Sequence, residues 1–282
     1  MAKIEYVKDT FQEYLNNKTH ISASDIKNFL ISPAYYFYKK FLEPKSDEEH
    51  KHFIIGTALH ELILEPEMFK SNYIISPKYD LRTKEGKKDA LEFKEKNFDK
   101  VLLNADDYEM IVNMATVAGE NKTFVELLKD SYRELSCYTI DDKTKLDLRL
   151  RPDCFSLNKS TIVDIKTCQS SSYKSFKSDI YKFQYSISSA FYCDFLGREN
   201  YVFCAIEKTK PYQTALYMIS DDMLQYGREQ YRLALDLMRW CIDNFYYPSY
   251  NEFEILKECY DLNNLDSFFD LCQKSEKITI IR

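Results

Sequence analysis

Two short runs decide how this chain is read: Arg151-Pro152-Asp153 and, after an intervening turn at Asn158-Lys159-Ser160, Asp164-Ile165-Lys166-Thr167. The turn predicts that the runs lie on neighbouring strands. Side chains alternate along a strand, so Asp164 and Lys166 share a face, about 6.6 Å apart along the chain, while Ile165 points into the core. Asp153 is expected on the preceding strand, with its register left open because Pro152 interrupts the alternation. If the strands pair, Asp153 approaches Asp164. Two carboxylates held together repel, so one takes a proton or a cation neutralises both. Oxygen ligands of this kind suit Mg²⁺ or Mn²⁺. Such an ion acidifies a bound water and polarises a phosphoryl oxygen, and Lys166 can orient that water or stabilise charge developing on a phosphate. These residue types suit phosphodiester hydrolysis. On a strand, a D-x-K tripeptide alone is more often an ordinary salt bridge, and that reading stands beside the functional one here.

Working outward, Leu146, Leu148 and Leu150 alternate with Asp147 and Arg149, a half-buried strand. Asp141-Asp142-Lys143-Thr144 is a hairpin turn joining it to a strand over 135–140. Further strands are expected over 161–166, 201–206 and 214–220. Helices are expected over 22–42, with Pro33 ending or kinking the first part. Others should run over 53–64, stopped at Glu65-Pro66, over 105–129, and over 221–245. Phe176, Ile180, Phe183, Ile187 and Phe191 predict one amphipathic helix over 174–195. The stretch 78–100 is a charge-dense solvated helix and loop. Helices around a few central strands make an α/β fold. We read residues 1–282 as a single domain: a helical part over about 20–130, a sheet-and-helix part over about 131–250, and a tail.

Composition sets the outer bounds. The chain has 282 residues, 45% hydrophobic, enough for a substantial core, and five glycines with seven prolines argue against disorder. No apolar run reaches membrane-spanning length and no signal-peptide core is visible, so the expected location is the cytoplasm, without a membrane. The eight cysteines form no CxxC pair, which disfavours zinc or iron–sulfur sites and predicts reduced core thiols. A net charge of −6 does not advertise a nucleic-acid binder, but local basic surface decides that affinity.

With His60 added, the set resembles a known family. Phe53-Ile54-Ile55-Gly56-Thr57-Ala58-Leu59-His60 with Leu64-Glu65-Pro66 is similar to the G-x-x-x-H motif of RecB-type nucleases, and more closely to the nuclease domain of RecE (exonuclease VIII). The likeness continues in order through Ser22-Ala23-Ser24-Asp25-Ile26-Lys27, Ser32-Pro33-Ala34 and Arg82-Thr83-Lys84-Glu85-Gly86-Lys87. It takes in the two central runs and ends at Glu207-Lys208-Thr209-Lys210-Pro211-Tyr212, so that it covers most of residues 20–250. The resemblance implies a PD-(D/E)xK restriction-endonuclease-like core, a central mixed sheet flanked by helices. It implies that His60, Asp153 and Asp164 bind the metal with the Ile165 carbonyl as a further contact, and that Lys166 is the catalytic lysine. Asp153 and Asp164 then belong to the catalytic set as well.

One departure concerns the helix after the lysine strand. RecB-type nucleases carry Q-x-x-x-Y there, whereas this chain has Ser188-Ser189-Ala190-Phe191-Tyr192. Gln184 lies one turn earlier, and 184, 188 and 192 share a helical stripe, a candidate DNA-holding surface. Glu134 resembles an acidic residue upstream of the site in related nucleases; a strand-capping role is preferred for it over a second metal. Arg82, Lys84, Lys87 and Lys88 are candidates to line a DNA path, as are Arg149 and Arg151, either of which would serve equally as a salt-bridge partner.

The reading is a Mg²⁺- or Mn²⁺-dependent exodeoxyribonuclease acting on double-stranded DNA ends, 5′ to 3′, leaving 3′ single strands. By resemblance, its partners are a homo-oligomeric ring and a single-strand annealing protein in phage or prophage recombination. The alternatives are a non-catalytic DNA-end-binding protein, an endonuclease or single-strand nuclease of the same fold, and a purely structural salt-bridge cluster.

Overall fold

A computed structural model describes residues 3–44, 51–156 and 160–274. In chain order the strands are β1 Glu5–Val7, β2 Tyr73–Ile75, β3 Val101–Leu103, β4 Ser131–Arg133, β5 Ser136–Ile140, β6 Asp147–Leu150, β7 Cys154–Ser156, β8 Thr161–Cys168, β9 Asn200–Glu207 and β10 Thr214–Met218. The α-helices are α1 Phe11–Asn16, α2 Ala23–Ile31, α3 Pro33–Phe37, α4 Lys51–Leu64, α5 Pro66–Asn72, α6 Lys84–Lys96, α7 Ala105–Glu120, α8 Lys122–Leu128, α9 Tyr173–Lys182, α10 Tyr185–Leu196, α11 Asp221–Asn244, α12 Tyr250–Asp261 and α13 Phe268–Lys274.

The central sheet has the order β10-β9-β8-β7-β4 and is mixed: β8 and β9 run parallel, and the other pairs are antiparallel. A smaller sheet, β1-β5-β6, holds the expected hairpin, with Cys137 opposite Leu150 and Ile140 opposite Asp147. The Asp141 carboxylate caps its turn, accepting from the Thr144 N–H and hydroxyl at 2.9 and 2.7 Å. Between β6 and β7 the chain passes from one sheet to the other through Arg151-Pro152-Asp153.

Strand alternation builds two cores. Ile162, Phe203 and Ala205 face Phe29 of α2, Ile187 and Phe191 of α10 and Leu235 of α11. Val163, Ile165, Cys204 and Ile206 face Ala58 and Leu59 of α4, Ile111 and Met114 of α7 and Phe124 of α8. A sheet buried on both faces reads as the near-continuous apolar runs seen in 161–168 and 200–207. Each fully buried aromatic contributes about 1.5–3 kcal/mol; Phe203→Ala would cost about 3–5 kcal/mol. Gly227 of α11 is required by packing, since a Cβ there would collide with the Ser186 carbonyl of α10.

Several expected helices are split, each for a local reason. Pro33 closes the first at Ile31, and Ser32 caps α3 by accepting from the Tyr35 N–H at 3.1 Å. Asn121 divides α7 from α8 and caps the latter, accepting from Phe124 at 3.1 Å. The predicted helix over 174–195 breaks at Gln184, which adopts the left-handed conformation (φ 53°, ψ 44°) and precedes α10. The expected turn residues Asn158 and Lys159 lie outside the described residues. All eight cysteines are free thiols, seven of them buried. No described helix is long and apolar enough to cross a membrane.

Candidate active site

β8 outruns its neighbour. β7 pairs with it only at Cys154–Val163 and Phe155–Ile162, so one edge of Asp164-Ile165-Lys166 is left without a strand. Asp153 fills that edge from a bend before β7, not from within the preceding strand as expected, because Pro152 has no N–H to continue a ladder. Its Oδ2 accepts from the Ile165 N–H at 2.7 Å. His60, near the end of α4, brings Nδ1 to 3.4 Å from the same oxygen. The Glu134 N–H donates to the Asp153 carbonyl at 3.0 Å, and Glu134 Oε2 accepts from Arg151 Nε at 2.9 Å. Arg151 is itself tied to the Asp9 carbonyl and the Ser136 hydroxyl, both at 3.0 Å. Ligand atoms of His60, Glu134 and Asp153 all lie within 4.8 Å of one another.

Asp164 is buried beside this group. Its buried Oδ2 is ion-paired to Lys166 Nζ at 2.5 Å, at the edge of hydrogen-bond geometry. Burial raises the Asp164 carboxyl above its ordinary range; Lys166 opposes the rise and the Asp153 charge adds to it. Burial also acts to lower the Lys166 ammonium, but Asp164, Asp153 and Tyr185 outweigh it, and Lys166 stays charged. Glu134 is pushed up to about 7, first by burial and then by Asp153, against His60 and Arg151. Asp153 thus faces two further carboxylates, Glu134 and Asp164, with too little positive charge among the fixed groups. The His60–Glu134–Asp153 donor set, with the buried Asp164 carboxylate beside it, fits a hard divalent cation.

The other sequence-predicted residues fall in several places. Tyr192 is half-buried, and its hydroxyl accepts from the Arg151 backbone N–H, so it braces the crossing behind Asp153. Ser188 is half-buried on α10. Gln184 precedes that helix in its left-handed turn, so the expected continuous stripe 184/188/192 is interrupted. Arg149 is buried, 3.8 Å from Asp25, and donates to the Tyr14 carbonyl, a structural role. Arg82, Lys84, Lys87 and Lys88 are exposed on α6 and the loop before it, with Arg82 3.0 Å from Asp80 and Lys88 3.5 Å from Glu92. These four form no hydrogen bond or ion pair with the site residues.

Glu134, read from the sequence as a strand cap, stands in this cluster, its backbone in the left-handed region (φ 47°) just after β4. It reaches the site because β4 pairs with β7, a contact between strands too short to show a period. Tyr185 carries no sequence signal, and Lys27 stands in the sequence only as the last residue of the Ser22–Lys27 string, with no site role. Lys166 Nζ lies 5.4 Å and Lys27 Nζ 5.5 Å from the centre of the Tyr185 ring.

A mixed sheet whose open edge sets two aspartates and a lysine against a helix histidine has the PD-(D/E)xK arrangement. A family model described as a PDDEXK-like domain of unknown function (DUF3799) matches residues 22–258, and the chain belongs to that family. Among solved structures it is similar to a protein of Eubacterium rectale that carries a provisional exonuclease designation. The TM-score is 0.59 and the identity 13%, over 84% of this chain and 87% of that one. The protein SSO0001 overlays at a TM-score of 0.29 with 15% identity, over 67% of this chain and 88% of that one, too weak a likeness to support an argument. No curated protein matches the chain.

Proposed function

We propose that this protein is a divalent-metal-dependent deoxyribonuclease. The observation that carries the reading is the junction of two groups on one strand edge: His60, Glu134 and Asp153 within ligand distance, and the buried Asp164 carboxylate paired with the Lys166 ammonium. Asp153, Asp164 and His60 hold the ion, joined by Glu134. The Ile165 N–H points to Asp153, and a strand residue sends N–H and C=O to the same edge, so its carbonyl offers a further contact. When bound, Mg²⁺ or Mn²⁺ supplies an acidified water and a polarised phosphoryl oxygen. Lys166, held charged by its carboxylate neighbours, orients the attacking water and stabilises charge developing on the phosphate. The Ile165 hydrogen bond and the Arg151 brace on Glu134 fix these groups before substrate arrives.

The finer reading rests on the likeness to RecE. The substrate is linear double-stranded DNA, degraded 5′ to 3′ from its ends to leave 3′ single strands. The protein works as a ring-shaped homo-oligomer with a single-strand annealing partner, in a phage or prophage recombination setting. Arg82, Lys84 and Lys87 contribute an outer basic path, and Gln184 and Ser188 lie toward the bound strand. Incubation with Mg²⁺ of 5′-labelled and 3′-labelled linear duplexes and a covalently closed circle tests it. Nucleotides released from linear DNA, with early loss of the 5′ label and an intact circle, are expected. Cleavage of the circle would make it an endonuclease. Binding to ends with no release under Mg²⁺ or Mn²⁺ would make it a non-catalytic end-binding protein.

A further inference from the structure

Lys27 has no acidic ion-pair partner among the described residues. It forms no hydrogen bond there either; it lies instead against the Tyr185 ring, as Lys166 does, the two ammoniums 5.5 and 5.4 Å from one ring centre. It is half-buried, so water screens it only in part. Burial, and then the charge of Lys166, hold its ammonium down to about 8, with Asp164 opposing. Asp164 is already engaged by Lys166 at 2.5 Å. Bringing a second cation beside Lys166 without its own carboxylate does not stabilise the fold.

The helix that carries Lys27 is rigidly placed. Ser22 and Asp25 form a capping box at its start, with bonds of 2.8 and 3.2 Å. Asp25 accepts from Lys40 at 3.0 Å, and Ile26 and Phe29, on either side of Lys27, are fully buried. From Tyr185 the aromatic surface continues outward to Phe183, stacked at 5.6 Å and 29°, 45% exposed and itself capped by Lys182 at 5.1 Å. Two cations at the catalytic end and alternating aromatic and basic groups leading to the surface suit one ligand class, a polyanionic strand.

We propose that Lys27 is a substrate-binding residue that grips a backbone phosphate of the DNA strand beside the phosphate at Lys166. The inference rests on the nuclease reading above. It concerns binding, so it can be read without turnover.

The experiment measures affinity for a short labelled linear duplex with Ca²⁺ in place of Mg²⁺, across a KCl series, for the wild type, Lys27→Met and Lys27→Arg. Each phosphate that a cation no longer neutralises reduces the slope of log affinity against log salt by about 0.9. Lys27→Met should weaken binding about 10-fold at low salt and lower the slope by about that amount, while Lys27→Arg keeps both. A loss of affinity with an unchanged slope would mean a packing role and overturn the proposal, as would an unchanged affinity. Thermal melting of each variant identifies loss of fold, in which case Lys27→Arg with wild-type stability and wild-type slope supports the proposal and a reduced slope overturns it. If the wild type neither binds nor degrades linear DNA, the nuclease reading fails and takes this inference with it. If the wild type does both and Lys27→Met binds alike, the inference fails alone.

Discussion

Two buried charge clusters lie at opposite ends of the β6 crossing, and they are built on opposite principles. Around Asp25, one carboxylate accepts from the Ser22 N–H and hydroxyl at 2.8 Å each and from Lys40 at 3.0 Å, with Arg149 3.8 Å away. Lys40 also donates to the His20 carbonyl at 2.8 Å. There cations and donors outnumber the single carboxylate. At the strand edge the balance reverses: Glu134 and Asp153 come within ligand distance of each other, the buried Asp164 adds a third carboxylate beside Asp153, and among the described residues the nearby Lys27 forms no ion pair. Both clusters look alike as sequence. What separates them is whether the fold finishes neutralising its own charges, and the unfinished one is where a ligand belongs.

The largest effect that would break this contrast is on activity. Asp164→Ala or Lys166→Ala should lower Mg²⁺-dependent release of nucleotides from linear DNA by at least about 10³-fold while the melting curve keeps its shape. Full activity in both variants would leave the strand edge a structural salt bridge. Next comes stability at the other cluster. Asp25→Ala strands Lys40 and Arg149 and removes a capping box, so it should destabilise by about 3–5 kcal/mol, read from urea unfolding. A change below about 1 kcal/mol would show that the finished cluster contributes no more than a surface pair.

How far the sequence anticipated this follows from the range of each signal. The alternation in 146–150 and 161–166 located β6 and β8, and the turn at 141–144 set the hairpin register, because those signals are local. Asp153 was misplaced on a strand because Pro152 ends one ladder before another begins, a switch between sheets that no periodicity records. The helix break at Gln184 was hidden because Phe183 and Ile187 keep an apolar spacing through a residue whose backbone is left-handed. Glu134 reaches the site through β4 and β7, each three residues long. Lys27 arrives by helix packing across the sheet. The string 22–27 contains Lys27, but only tertiary contact shows which of its residues meets the site.

A smaller effect tests Glu134 through pH. Its carboxyl is raised to about 7 in the folded chain, by burial and then by Asp153. The folded state therefore binds a proton that the unfolded state has released between the ordinary glutamate range and about 7. Stability falls as pH rises through that window, and the penalty is complete above it. In EDTA, Glu134→Gln should be more stable than the wild type at pH 8, on the order of 2 kcal/mol, with the gap shrinking toward pH 5. Adding Mg²⁺ should stabilise the wild type more than the variant. Equal stabilisation of both by Mg²⁺ would remove Glu134 from the metal site.

The smallest expected effect separates two lysines that a sequence treats alike. Lys40 and Lys27 are both lowered by burial, but Lys40 has Asp25 to oppose the shift, whereas Lys27 has Lys166 to deepen it. Below about 8 Lys27 is charged in both states and carries its full penalty. Between there and its ordinary range the unfolded chain keeps a proton that the folded chain has lost, so stability rises with pH and the penalty disappears. Lys27→Met should therefore be more stable than the wild type at pH 7 by about 1 kcal/mol, discounted for partial exposure, and the gap should close as pH approaches 10. Lys40→Met should be less stable at both. Urea unfolding of the three proteins at the two pH values decides it. A Lys27→Met protein less stable at pH 7 would place Lys27 with Lys40 as a structural cation, whereas a gain in stability accompanied by a loss of DNA affinity is the signature of a charge held for its ligand.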